Sequence, residues 1–98
     1  MSAERVLKKS LQKYLMASYL YYIRYQSVMP DAEYDQLAKD LLEGWNNFKH
    51  QHKHLVSKED LKAGTLFALK DDDYPLMVKA AADLWLRSVE ETKEFAGQ

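Results

Sequence analysis

The stretch Pro30-Asp31-Ala32-Glu33-Tyr34-Asp35 sets two carboxylates and a phenol three and four residues apart. On a helix that spacing puts Asp31, Tyr34 and Asp35 on one face of a first turn. Such a face carries negative charge and accepts hydrogen bonds. Just upstream, Tyr21, Tyr22 and Tyr25 supply aromatic faces, which attract organic cations by about 0.5–2 kcal/mol. Carboxylates accept from vicinal ribose hydroxyls, as the acidic residue of dinucleotide-binding folds does. A cationic, ribose-bearing ring satisfies both halves, and nicotinamide ribotide is such a molecule. The same residues also have plainer uses. Tyrosines on helices more often build core or rim than touch ligands. Asp31 suits a helix N-terminus, and Asp35 is spaced to pair with Lys39.

The elements that must position these groups are helical. Leu7, Leu11, Tyr14, Leu15, Ser18, Tyr22 and Tyr25 recur every three or four residues, which predicts one long amphipathic helix over 3–25. Gln26 to Met29 forms a short link, and Pro30-Asp31 opens a second helix. Tyr34, Leu37, Leu41, Trp45 and Phe48 carry that helix to about His50 or His54, through Gly44. Because the link is short, the second helix must fold back beside the end of the first. Ser57 to Asp60 reads as a capping box, and a short third helix is expected to reach about Lys70. Asp71-Asp72-Asp73 is an acidic turn, with Asp73 a candidate cap for a fourth helix that has Pro75 in its first turn. Leu76, Met77, Ala80, Ala81, Leu84 and Val89 are expected along one side of that helix. Strand and hairpin signals are absent. The expected fold class is all-α: a small single-domain bundle of about four helices over residues 1–98.

The run Tyr19-Leu20-Tyr21-Tyr22, the link Ile23 to Met29 and then Pro30-Asp31-Ala32-Glu33-Tyr34-Asp35 together resemble one known family. It is the N-terminal helical subdomain (domain Ia) of NAD-dependent bacterial DNA ligases, which begin with a Tyr-x-Tyr-His or Tyr-x-Tyr-Tyr helix end, a short link and Pro- or Ser-Asp-Ala-Glu-Tyr-Asp. The match needs no gap and extends into Leu37, Leu41 and Leu42. It implies a helical hairpin that clamps over NAD and touches its nicotinamide ribotide half, with Tyr21, Tyr22, Asp31, Tyr34 and Asp35 as contacts. The resemblance spans about residues 4–45, and from about 46 to 98 the chain diverges as a helical extension. The ligase Lys-x-Asp-Gly motif, whose lysine attacks the adenylyl phosphate, does not occur; Lys39-Asp40 and Lys70-Asp71 lack its spacing and glycine. The chain is therefore expected to bind NMN, or NAD through that half, and not to ligate DNA or act as an enzyme by itself. The alternative is a non-catalytic scaffold that meets a ligase adenylyltransferase domain or another host protein. A bacteriophage or bacterial genome is the expected setting.

Bulk properties narrow the remaining classes. With 14 basic and 15 acidic side chains and a net charge of −1, little suggests the basic face that a nucleic-acid binder usually shows. No apolar run approaches the roughly 20 residues of a membrane span, and the start lacks the apolar stretch of a secretion signal. No cysteine is present, which fits a reducing, cytoplasmic setting. His50 and His54 would share a helical face and could ligate zinc, but without further ligands a solvated, cationic helix end is the better account and no metal is expected. Trp45, Phe48, Leu66, Phe67, Leu69, Leu84, Trp85 and Leu86 are mostly core, yet Leu84, Trp85 and Leu86 cannot all face one way. One side left exposed would suit a homodimer or a partner.

Overall fold

The three-and-four spacing of the first segment produces a helix that is buried on more than one side. In the computed structural model, which describes residues 2–64, 66 and 69–96, this is α1, Ser2–Tyr22. It meets both α2 (Asp31–Glu43) and α4 (Leu76–Ala96), while the short α3 (Lys58–Ala63) packs on α2. Sandwiched this way, α1 buries Leu11, Tyr14, Leu15, Ala17, Ser18, Tyr19 and Leu20. The result is an all-α bundle of four helices, with no strand among the described residues.

Helix boundaries follow local chemistry where a local signal is strong. Pro30 is the N-cap of α2, with Asp31 and Glu33 in the first turn where acids favour the positive helix end. The Ser57 hydroxyl accepts from the Asp60 N–H at 3.1 Å, and the Asp60 carboxylate accepts from the Ser57 N–H at 3.0 Å. This is the reciprocal box its residues spell out.

Four expectations change. The first helix stops at Tyr22 rather than Tyr25, because Tyr25 adopts φ +56° while the Gln26 N–H bonds back to the Leu20 carbonyl. The second helix ends at Glu43, with Gly44 as its C-cap. A Cβ on Gly44 would come within 2.7 Å of the Leu7 Cδ1, so a side chain there would make the tip of Leu7 shift. Trp45–Asn47 and Lys53–Leu55 are instead short 3-10 turns. Lys53 closes this segment by donating to the Trp45 and Phe48 carbonyls and lying over both rings, 4.8 and 4.4 Å from their centroids. The third helix ends at Ala63 rather than near Lys70, since Gly64 takes the left-handed conformation at φ +69°. Asp73 does not cap the fourth helix; it accepts from the Lys70 N–H and closes the 3-10 turn Asp71–Asp73, while Pro75 leads into α4.

The side of α4 that carries Leu76, Met77 and Leu84 is not the buried one. Val78, Ala82 and Leu86 are buried, with Trp85 packed against the same core, whereas Leu76, Met77 and Leu84 are 66–82% exposed on the opposite side. Both sides of this segment are apolar, so its period alone does not choose between them. Contacts with α1 and the turn that follows it do: Arg24 pairs with Asp83 at 2.6 Å and Lys13 lies 5.9 Å above the Trp85 ring. Tyr74, just ahead of α4, sets its ring edge-to-face on Tyr19 at 5.4 Å. Trp45, Phe48 and Leu66 lie in the core as expected; Phe67 is outside the described residues.

Candidate functional site

The end of α1, the link and the first turn of α2 meet around a cleft of about 240 Å³. Tyr21, Tyr22, Asp31, Tyr34 and Asp35 all line it, so the two helices bring together the five side chains singled out from sequence. Ala17, Ser27, Val28, Met29 and Gly64 complete the lining. These five were not singled out. The first four are small or apolar and carry no chemical signature, and Gly64 arrives from α3, far along the chain.

Each wall has its own cause. Tyr21 and Tyr22 are adjacent at the last turn of α1, and their rings meet edge-to-face at 4.9 Å and 85°. Tyr21 is half exposed, while Tyr22 is partly buried against the core. Tyr34 stacks on buried Tyr14, with centroids 4.7 Å apart and planes 17° from parallel. The Ser18 hydroxyl donates to the Tyr14 carbonyl at 2.7 Å, which uses its only proton. The 2.5 Å contact between Ser18 and Tyr34 therefore has the Tyr34 hydroxyl as donor. Burial pushes the Tyr34 phenol up to about 12. Tyr34 is thus a fixed, neutral wall with one ring face already covered.

Asp31 and Asp35 stand one turn apart on the exposed edge of α2. The Asp35–Lys39 ion pair that their spacing offers is not formed; the ion pairs among the described residues are Lys8–Glu4, Arg24–Asp83 and Lys79–Asp71. The cleft lining contains both carboxylates and no basic side chain. Gly64 closes the side nearest Asp35, and a Cβ added there would sit 3.2 Å from the Asp35 Oδ1. Chemically, the cleft combines aromatic surface, two acceptor groups and negative charge. It suits a ligand with a cationic or hydroxyl-rich portion, and its volume lies just under the roughly 300 Å³ at the small end of ligand pockets.

The histidine segment differs from its expectation. With α2 ending at Glu43, His50 and His54 share no helical face. His50 is half-buried rather than a solvated cation: its Nδ1 accepts from the His52 N–H at 3.0 Å, and desolvation, then His52, then Lys8 hold its pKa down. No cluster of three or more metal-ligating side chains occurs among the described residues. No described helix is long and apolar enough to cross a membrane.

No protein-family model, curated protein or solved structure matches the chain.

Proposed function

We propose that this protein is a binding module for nicotinamide ribotide, taken up as NMN or as that half of NAD. The observation that carries the reading is the meeting of Tyr21, Tyr22, Asp31, Tyr34 and Asp35 around one anionic cleft. Tyr21 and Tyr22 flank the pyridinium ring with Tyr34 as the fixed wall, and the positive ring balances the two carboxylates. Asp31 and Asp35 accept from the ribose hydroxyls. A volume of about 240 Å³ suits one ring and its sugar, with the phosphate directed to water and away from the acids. The likeness of 4–45 to the ligase subdomain supports the same assignment. Binding without catalysis would serve to sequester the nucleotide or to complement a separately encoded adenylyltransferase domain.

Calorimetric titration with NMN, NAD and AMP tests this, repeated on Asp35→Ala and Tyr22→Ala. Heat with NMN and NAD but not AMP, lost in both variants, is expected. Absence of heat with NMN and NAD refutes the reading. It would favour a second one, an interaction scaffold, for which the outward-facing Leu76, Met77 and Leu84 of α4 are the supporting observation.

A further inference from the structure

Tyr25 is the one non-glycine residue at positive φ among the described residues, and its side chain is 86% exposed. It follows the last turn of α1 in a left-handed position where helices ordinarily place glycine. Bulky side chains are rare in this conformation because Cβ crowds the backbone. The turn itself does not need the ring: the Gln26-to-Leu20 bond that closes it is made between backbone groups. Nor does the core need it, since the ring stands in solvent. Residues held in costly conformations with no structural return are candidates for function.

What the ring does build is a second recess. Tyr21, Tyr22, Tyr25 and Ser27 line an open hollow of about 360 Å³, and three of these four residues also line the acidic cleft. The edge-to-face Tyr21–Tyr22 pair is therefore shared by both. The two hollows differ in chemistry. Asp31 and Asp35 belong to the first alone, and the second has three phenol rings, one hydroxyl and no charge. A cationic ring gains from carboxylates, whereas a neutral planar base gains from aromatic stacking alone.

We infer that the aromatic recess around Tyr25 takes the second, uncharged base of a dinucleotide whose nicotinamide ribotide occupies the acidic cleft. The inference rests on the cleft reading above and sharpens it: the preferred ligand is NAD rather than NMN. Tyr25 is then a specificity residue, discriminating the dinucleotide from its half.

Titration of the whole chain with NMN and with NAD, on the native sequence and on Tyr25→Gly, Tyr25→Phe and Asp35→Ala, tests it. One stacked base is expected to make NAD bind about tenfold more tightly than NMN. Tyr25→Gly is expected to bring NAD down to the NMN affinity and leave NMN itself unchanged, with a melting temperature equal to or above the native one. Tyr25→Phe keeps the preference, and Asp35→Ala weakens both ligands alike. Equal binding of NMN and NAD by the native chain, or a Tyr25→Gly loss shared equally by both, overturns the inference and leaves the cleft reading standing. Failure of both ligands to bind overturns the cleft reading and the inference with it.

Discussion

Ser18→Ala isolates the contact that holds Tyr34 in the cleft wall. Ser18 is fully buried, and its hydroxyl is both donor to the Tyr14 carbonyl and acceptor from Tyr34. Removing it leaves the Tyr34 O–H without its acceptor. An average hydrogen bond contributes about 1 kcal/mol, and a stranded buried polar group costs about 1–3 kcal/mol. Tyr34 is only partly buried and borders the cleft, where water can reach it, so the lower half applies: about 1–2 kcal/mol. For a chain of this size that lowers the melting temperature by roughly 5–15 °C. Tyr34→Phe removes the donor and keeps the stack on Tyr14, with an expected cost of about 1 kcal/mol. The double variant removes both partners, so its cost is expected to fall short of the sum by about 1 kcal/mol. Urea unfolding followed by circular dichroism measures all three. Costs that add to within about 0.3 kcal/mol would show that the two hydroxyls do not depend on one another, and the assigned role of Ser18 would be wrong.

Tyr74 is 2% exposed and its hydroxyl has no hydrogen-bond partner, so Tyr74→Phe is expected to stabilise the fold by about 1 kcal/mol in the same unfolding assay; destabilisation would refute it. Burial above all raises the pKa of Tyr14, Tyr34 and Tyr74, favouring the neutral phenol in the folded state. The stability this contributes is fully present below about pH 10 and is lost above it, over about pH 10–12 for Tyr34. In an alkaline titration the helical signal should therefore fall together with the last phenolate absorbance to appear; complete ionisation of an intact helix bundle would contradict this. On α4, Val78→Ala is expected to cost about 1–3 kcal/mol, whereas Leu84→Ser stays within about 0.5 kcal/mol in thermal melts. Equal losses would mean that the helix faces the other way, or that Leu84 is covered by a second copy.

Much of the candidate site was legible because it is built from neighbours in sequence. Asp31, Tyr34 and Asp35 share a turn, Tyr21 and Tyr22 share the last turn of α1, and the eight-residue link Ile23–Pro30 leaves the two groups little freedom to separate. Gly64 could not be read in the same way. It enters the cleft only because α3 packs on α2, and nothing in its local sequence points to Asp35. The left-handed Tyr25 was missed for a related reason: its spacing continues the apolar period of α1, and only the backbone shows that the helix has already ended.

From the sequence alone came the helical class, Pro30 as the lead into α2, the Ser57–Asp60 box and the five side chains that line the cleft. All of these depend on contacts three or four residues apart, which a chain carries with it wherever it folds. Tertiary structure alone decided which side of α4 is buried, that Gly44 lies against the Leu7 side chain, that Tyr14 covers one face of Tyr34 while Ser18 locks its hydroxyl, and that a second aromatic hollow adjoins the acidic one. Those outcomes depend on which surface a distant helix presents, and α4 was apolar on both sides until α1 selected one.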